Sequence, residues 1–322
     1  MAKVKNNTSK IVTMVERDIE QVKKRQRVVK GISKFFVYLF LCIMAVIVLF
    51  PFYWMIISSL KSLAEYRLAI PTFWPREIHW ENYVKAFETA NLVTLFKNTV
   101  YVGVVSTALS LVITVLSAFA FARLEFKGRD AFFGVLLATM MIPGELFTIT
   151  NYQTINDFFG LATLGNEIGS ELLVKLGSWQ NTYTVLIVPF LVSVFYIYLL
   201  KQNFLQIPNE LYLAAKVDGT TDLKYLWKVM IPLAAPTLVS ITILKMMGAW
   251  NTYVWPKLVA NREDMQLITN GLRNAFTDAN TMDTDYPVQM AAVALVSIPL
   301  FLVFLFFRKY IMKGVSKSGI KG

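Results

Sequence analysis

The sequence predicts an all-α integral membrane protein with six transmembrane helices. Three observations support this fold class: only 16% of the 322 residues are charged, 56% are hydrophobic, and the apolar residues gather in long stretches that lack charge. About a quarter of the residues in a soluble domain are charged. The composition alone therefore favours the membrane class.

Four stretches contain no charged residue and are long enough for a spanning helix, which needs about 20 residues. They cover 35–60, 98–122, 176–200 and 286–307. Two further stretches, 131–156 and 229–256, are apolar on both sides of one charge, Glu145 in the first and Lys245 in the second. We therefore predict six spans. We expect the first to be retained rather than cleaved as a leader, because its apolar core is too long for a signal peptide.

The distribution of Lys and Arg predicts the orientation, since cytoplasmic loops carry an excess of both. Twenty-two lie on the side formed by the two termini and two of the loops, 123–130 and 201–228. Nine lie in the loops 61–97, 157–175 and 257–285. Both termini are thus expected to be cytoplasmic. The net charge of +11 is then a topology signal. A nucleic acid is excluded as a partner, because no soluble domain is predicted to carry a basic patch.

The charge pattern divides the chain into three parts. We predict a basic cytoplasmic N-terminal segment, 1–34, a six-span domain, 35–309, and a basic cytoplasmic tail, 310–322. The N-terminal segment can form a helix or an arm that lies on the anionic headgroups of the lipid bilayer. A solvated leader without further function fits its composition equally well.

The loop 201–230, between the fourth and fifth spans, is predicted to hold two short helices. Asn209 is a suitable N-cap for the first, with Glu210 at the positive end of the helix dipole. Gly219 can supply the left-handed residue that ends this helix. Asp222 can cap a second helix over 223–230 that runs into the fifth span.

A short helix held between two spans can sit in a groove of a soluble partner and transmit the partner's motion. Ala214 and Ala215 would permit close approach, and Leu213 and Val217 would supply apolar contacts. Pro232 would redirect the chain at the entry to the fifth span. The same spacing also fits a loop helix that lies on the bilayer, and the spacing alone does not choose between the two.

This loop resembles the conserved cytoplasmic loop, the EAA loop, of permease subunits of binding-protein-dependent ABC importers. The family pattern is Glu-Ala-Ala, two residues, Asp-Gly and, after a short helix, Leu-Pro. The residues that match are Ala214, Ala215, Asp218, Gly219 and Pro232. Leu213 stands in place of the first Glu, Ile231 in place of the Leu, and Glu210 matches a second acid typical of the family. The resemblance implies that this helix couples to the ATPase.

Four other stretches resemble the carbohydrate-uptake branch of that family, in particular the second permease of maltose-type transporters. They are 49–61, 80–87, 141–143 and 250–256. The resemblance implies a type I ABC-importer permease fold in the cell membrane and uptake of a sugar by alternating access. It also implies a second homologous permease, a dimeric ABC ATPase and an extracytoplasmic sugar-binding protein as partners, the last in contact with the loop 257–285.

The sequence gives no sign of an enzyme. It has no G-x-x-x-x-G-K-[ST] phosphate loop, so ATP hydrolysis is expected from a partner. His79 is the single histidine and Cys42 the single cysteine, which excludes a His/Cys metal site. We therefore expect no catalytic residue, metal or cofactor.

Glu145 and Lys245 are ionisable groups inside predicted spans, where such groups usually face a cavity or a partner. They can form a gate in the transport pathway. They can equally be structural, with Glu145 at the outer edge of the membrane. An alternative function follows from them: a stand-alone secondary transporter or channel that uses both for ion coupling.

Trp250, Asn251 and Tyr253 lie in the outer half of the fifth span. Aromatic faces with amide and hydroxyl groups suit a sugar pathway, but aromatic belts at the membrane interface have the same composition. Pro143 and Gly144 are predicted to break the third span. The external stretch 164–180 is longer than is usual in the branch and has no assigned role.

Overall fold

The computed structural model describes residues 2–276 and 283–316, with side chains described for 30–158, 160–273, 275–276 and 283–308. Its α-helices are α1 (Ala2–Ser59), α2 (Leu63–Tyr66), α3 (Glu81–Thr89), α4 (Leu92–Arg123), α5 (Arg129–Thr139), α6 (Phe147–Asn156), α7 (Leu161–Ile168), α8 (Glu171–Gly177), α9 (Tyr183–Ile187), α10 (Val194–Leu205), α11 (Asn209–Val217), α12 (Asp222–Tyr225), α13 (Ile231–Asn251), α14 (Val254–Val259), α15 (Ile268–Asn274) and α16 (Tyr286–Ser316). The side chains of the N-terminal segment before Lys30, and those of the predicted tail 310–322, lie outside the described residues.

Within the described residues, four continuous helical stretches are long and apolar enough to cross a membrane. They are Lys30–Ser59, Leu92–Arg123, Asp222–Asn251 and Tyr286–Arg308. Two bent helix pairs raise the number to six if each pair is one span. The fold is therefore helical with four to six spans. Leu92–Arg123 begins six residues before the predicted second span, and Asp222–Asn251 begins seven residues before the predicted fifth span.

The predicted third span is bent by 78° between Arg129–Thr139 and Gly144–Ile168. The break falls at Pro143 and Gly144, as the sequence indicates. Pro143 has an extended backbone, with φ −56° and ψ 130°, and its ring removes the N–H that a continuous helix would need.

The predicted fourth span also differs from a single helix over 176–200. It begins at Tyr183, because the residues before it form a separate short helix, α8, and an extended link. Thr182 caps the new start by accepting a hydrogen bond from the Val185 amide at 3.4 Å. The span then bends by 47° between Tyr183–Phe190 and Val194–Leu205, next to Pro189.

Helix α4 lies at the centre of the fold and packs against both α10 and α13. Its contact face carries small residues, which let helix backbones approach closely in a membrane. The buried ones include Ser106, Thr107, Ser110 and Thr114. Helix α16 packs against α13, α3 and α1. The outward face of α1 is apolar and exposed, as a lipid-facing or subunit-facing helix requires.

Two side chains near the start of α4, Asn98 and Thr99, hydrogen-bond to the segment that leads into α15. The Asn98 amide donates to the carbonyls of Asp264 and Gln266 at 2.8 and 3.0 Å, and it accepts from the Tyr183 hydroxyl at 2.7 Å. The Thr99 hydroxyl accepts from the Ile268 amide at 2.9 Å. These bonds hold α15 beside the end of α13.

Candidate functional site: the elbow loop and the opposite end of the bundle

Residues 207–222, which hold α11 and lead into α12, are called the elbow loop, or elbow. Helix α11 begins at Asn209, so the residue in the N-cap position is Pro208. The interpretation of Asn209 as the cap was wrong. The backbone of Pro208, with φ −54° and ψ 136°, sets the entry to the helix without a side-chain hydrogen bond. Glu210 remains in the first turn, where a carboxylate stabilises the positive end of the dipole.

The two faces of α11 have different surroundings. Four residues point away from the rest of the chain and are exposed: Glu210, Leu213, Ala214 and Val217. Val217 is 88% exposed and Leu213 56%. On the other face, Tyr212 and Ala215 pack against a buried cluster that includes Tyr225. Ala215 therefore contacts its own chain, so it does not share the outward position expected of both alanines.

Gly219 forms the turn that ends α11. Its φ is +67°, in the left-handed region that glycine adopts without a steric penalty. The Thr220 amide donates to the Ala215 carbonyl at 2.8 Å and the Gly219 amide to the Lys216 carbonyl at 3.0 Å, a glycine C-terminal cap. Asp218 precedes it and is exposed.

The expectation that Asp222 caps the second helix was wrong, because Thr221 caps it, accepting from the Lys224 amide at 3.4 Å. Asp222 instead closes the elbow. Its carboxylate accepts from the Tyr212 hydroxyl at 2.8 Å and from the Lys216 ammonium at 2.6 Å.

The bond to Asp222 raises the pKa of Lys216. The Tyr212 ring also packs on Tyr225, with centroids 5.1 Å apart. Tyr212 and Lys216 were not predicted from the sequence. The signal that could have found them is their spacing of four residues on one helix face.

A buried arginine anchors the elbow to the bundle. Arg123, the last residue of α4, is 9% exposed. Its guanidinium donates to the carbonyls of Phe204 and Ile207 at 2.9 and 2.5 Å. Both carbonyls lie at the C-terminal end of α10, where a cation is favourable. Arg123 thus fixes the backbone one residue before Pro208.

The elbow continues into α13 without a break in the chain's helical path. A π-helical turn, Leu226–Met230, joins α12 to α13, and Pro232 occupies the first turn of α13, where it is exposed. Because the helical path is continuous, the ring of Pro232 removes an N–H that would otherwise bond a carbonyl of the preceding turn. The change in helical path that was expected at Pro232 therefore lies in the π-helical turn just before it.

Glu145 and Lys245 form no ion pair with each other or with a third group within the described side chains. Glu145 is exposed in a 3-10 turn, Gly144–Leu146, at the bend of the predicted third span. The Lys245 ammonium donates to the Phe190 carbonyl, at the bend of the predicted fourth span. The bend leaves this carbonyl without its usual helical N–H donor, and the Lys245 ammonium replaces that donor. Backbone polar groups inside a membrane need such a partner.

Trp250, Asn251 and Tyr253 meet at one open cavity of about 400 Å³ between α13, α15 and α16. Trp250 is buried and packs on Phe96. Asn251 donates to the Met247 carbonyl of its own helix at 2.9 Å. The Tyr253 hydroxyl accepts from the Arg273 guanidinium at 2.6 Å. Arg273 was not singled out from the sequence, because it lies on α15, twenty residues away.

Relatives with known roles place the chain among transport permeases. It is 31% identical over 281 residues to the arabinooligosaccharides transport system permease protein AraQ of Halalkalibacterium halodurans, covering 86% of this chain and 93% of the relative. It is 30% identical over 278 residues to the diacetylchitobiose uptake system permease protein NgcG of Streptomyces coelicolor, covering 86% of both.

A solved structure shares the fold. It is a bacterial ABC transporter involved in the import of the acidic polysaccharide alginate, and one of its chains matches with a TM-score of 0.68 at 24% identity, over 84% of this chain and 94% of the other. The family model that describes the inner membrane component of binding-protein-dependent transport systems matches residues 21–317. The resemblance found in the sequence is confirmed: the chain belongs to this family of membrane permeases.

Proposed function

We propose that this chain is a permease subunit of an ATP-driven importer in the cell membrane that brings a sugar or oligosaccharide into the cytoplasm. It has six spans, counting each bent pair as one, and both termini face the cytoplasm. Its partners are a second homologous permease, a dimeric ABC ATPase and an extracytoplasmic sugar-binding protein that docks on the loop 257–285. The sugar-transport names of the permease relatives support a carbohydrate substrate.

The observation that carries this proposal is the geometry of the elbow loop. Its first helix exposes Leu213, Ala214 and Val217 on one face while the other face is packed into the bundle. Exposed apolar side chains on a loop helix mark a contact with a partner. The ATPase is the partner we assign to this face, in accordance with the family of the chain.

We propose that transport proceeds by alternating access, and the way that the elbow is held supports this mechanism. The Asp222 contacts to Tyr212 and Lys216 make the elbow a stiff unit, and the π-helical turn joins it to α13. When the ATPase dimer closes, the elbow moves with it and tilts α13. Because α13 packs against both α4 and α16, the spans then open towards the binding protein.

The docking face is tested by Ala214→Arg. Ala214 is exposed and points away from the bundle, so the longer charged side chain leaves the fold intact and obstructs the ATPase. We expect co-purification of the ATPase from detergent-solubilised membranes to fall at least about tenfold, which corresponds to about 1.4 kcal/mol. The second permease should still co-purify.

The matched control is Glu125→Arg, which places an arginine at an exposed residue of the neighbouring loop 123–130. It should retain the ATPase. Equal retention of the ATPase by Ala214→Arg and by the control would refute the docking face. Loss of the second permease together with the ATPase would instead show that Ala214→Arg disrupts the fold of the bundle.

The stand-alone alternative needs Glu145 and Lys245 to act together, but among the described side chains the two form no pair, and Lys245 bonds a backbone carbonyl. We expect Lys245→Met to lower the stability of the permease by about 1–3 kcal/mol, because the Phe190 carbonyl loses its hydrogen bond to a charged donor. The stability is measured by thermal unfolding of the purified complex. Uptake by this variant in proteoliposomes should still require ATP. Uptake that instead follows an imposed proton or sodium gradient, in the wild type and not in Lys245→Met, would favour the alternative.

A further inference from the structure

The cavity beside the end of α13 has walls of mixed chemistry. Aromatic rings come from Trp250 and Tyr253, and polar groups come from Asn251, Thr269 and Gln289. Apolar walls with a few polar groups that converge on them are typical of small-molecule sites. Because the cavity is open, a unit of a chain-like ligand can enter it while the rest of the ligand extends outside.

The position of these walls is fixed by the packing around them. Phe96 of α4 supports the Trp250 ring at a centroid distance of 5.9 Å. The Thr269 hydroxyl donates to the Thr252 carbonyl, which ties α15 to the residue that follows α13. The bonds from Asn98 and Thr99 hold the start of α15. The cavity is therefore built by rigid elements.

The electrostatics of this cavity are positive. Arg273 lines it, and Lys257 lies nearby with its ammonium 5.6 Å from the centre of the Tyr253 ring. The Arg273 guanidinium lies 5.4 Å from the same ring centre and uses one donor on the Tyr253 hydroxyl. Among the described residues no carboxylate lines the cavity, and neither cation forms an ion pair with one.

We propose that this cavity binds the carboxylate-bearing unit of an acidic oligosaccharide, and that Arg273 selects for the charge of that unit. A guanidinium has five donors in a planar fork that matches a carboxylate, and four of those of Arg273 are not used by Tyr253. The polar side chains of Asn251, Thr269 and Gln289 offer partners for the hydroxyls of the sugar. The inference rests on the proposed function, which it makes specific as to substrate class.

The test is direct binding to the complete transporter, with its ATPase and second permease, in nanodiscs and without the binding protein. The probes are radiolabelled digalacturonate and its neutral counterpart, digalactose, in equilibrium dialysis. We expect wild-type transporter to bind digalacturonate about tenfold or more tightly than digalactose, as a charge-assisted hydrogen bond implies. Arg273→Gln should remove this preference, and Arg273→Lys should keep part of it.

The control variant is Arg262→Gln, because Arg262 is an exposed arginine of the same segment that is already paired with Asp264 at 2.5 Å. It should leave digalacturonate binding unchanged. Equal affinity of the wild type for the two probes would overturn the inference, as would unchanged digalacturonate binding in Arg273→Gln. Neither result bears on the proposed function. If the proposed function were wrong, the ATPase would fail to co-purify with the wild type and with all of these variants.

Discussion

Gly219→Pro is expected to uncouple ATP hydrolysis from uptake while the spans still assemble. Gly219 has a φ of +67°, whereas a proline ring fixes φ near −65°. The substitution also removes the N–H that bonds the Lys216 carbonyl, so the cap of α11 is lost. The elbow then no longer holds α11 at its angle to α13. In proteoliposomes that contain the whole importer, we expect uptake per ATP hydrolysed to fall about tenfold or more.

Two further substitutions separate the backbone effect from a steric one. No atom lies within 4 Å of where a Cβ at Gly219 would be, so any loss in a variant with a side chain comes from the backbone conformation. Gly219→Asn should be mild, since asparagine tolerates the left-handed region, whereas Gly219→Ala should cost about 1–2 kcal/mol. Normal uptake per ATP in Gly219→Pro would contradict the role of the elbow.

Arg123→Met should destabilise the permease by about 3 kcal/mol. Two buried carbonyls, of Phe204 and Ile207, lose a charged donor, and hydrogen bonds to charged groups contribute about 1.5–3 kcal/mol each. The loss also frees the end of α10, which leads through Pro208 into α11. We therefore expect a lower temperature of thermal unfolding and, at temperatures where the variant is folded, weaker binding of the ATPase.

The matched control is Arg129→Met, six residues beyond Arg123, in the same loop. Arg129 is half-buried, pairs with the exposed Asp130 at 3.1 Å and donates to one carbonyl, that of Leu124, at 3.3 Å. A surface pair of this kind contributes at most about 1 kcal/mol. A similar loss of stability in both variants would show that Arg123 acts through the net charge of the loop rather than through the two carbonyls.

The spans could be predicted because the feature that defines them is local. An apolar run of more than 20 residues without charge is unfavourable in water and is expected to span the membrane. The runs at 98–122 and 286–307 both fall inside long helices of the structure. The bend at Pro143 was also visible, because proline removes a helical donor wherever it stands. The start of the fourth span was missed because 176–182 carries no charge, and the prediction used charge alone although four of these seven residues are Ser, Gln, Asn and Thr.

In the elbow, too, local properties of single residues could be predicted from the sequence, whereas their tertiary contacts could not. Gly219 was correctly expected in a left-handed conformation, because that need is a property of the residue itself. Asp222 was interpreted as a cap, since Asp is a frequent cap and its competing partners, Tyr212 and Lys216, become neighbours only after the chain has turned at Gly219. Arg123 was counted as a topology signal, because its two partner carbonyls lie about 80 residues further along the chain.

The candidate pathway was predicted least completely. Trp250, Asn251 and Tyr253 were chosen by residue type, and the structure places all three at one cavity. Arg273, the residue that gives this cavity its charge, follows a loop whose fold depends on bonds from Asn98 and Thr99. Such bonds join segments that are far apart in sequence, so they cannot be predicted from a local sequence pattern.

The central claim is that the elbow joins this permease to an ATPase that drives uptake. The most direct test is to purify the chain from detergent-solubilised membranes, identify the proteins that accompany it by mass spectrometry, and assay the purified assembly for uptake in proteoliposomes. We predict that an ABC ATPase and a second permease co-purify, that uptake requires ATP, and that Ala214→Arg loses the ATPase alone. A chain that purifies alone and still transports without ATP would contradict the account.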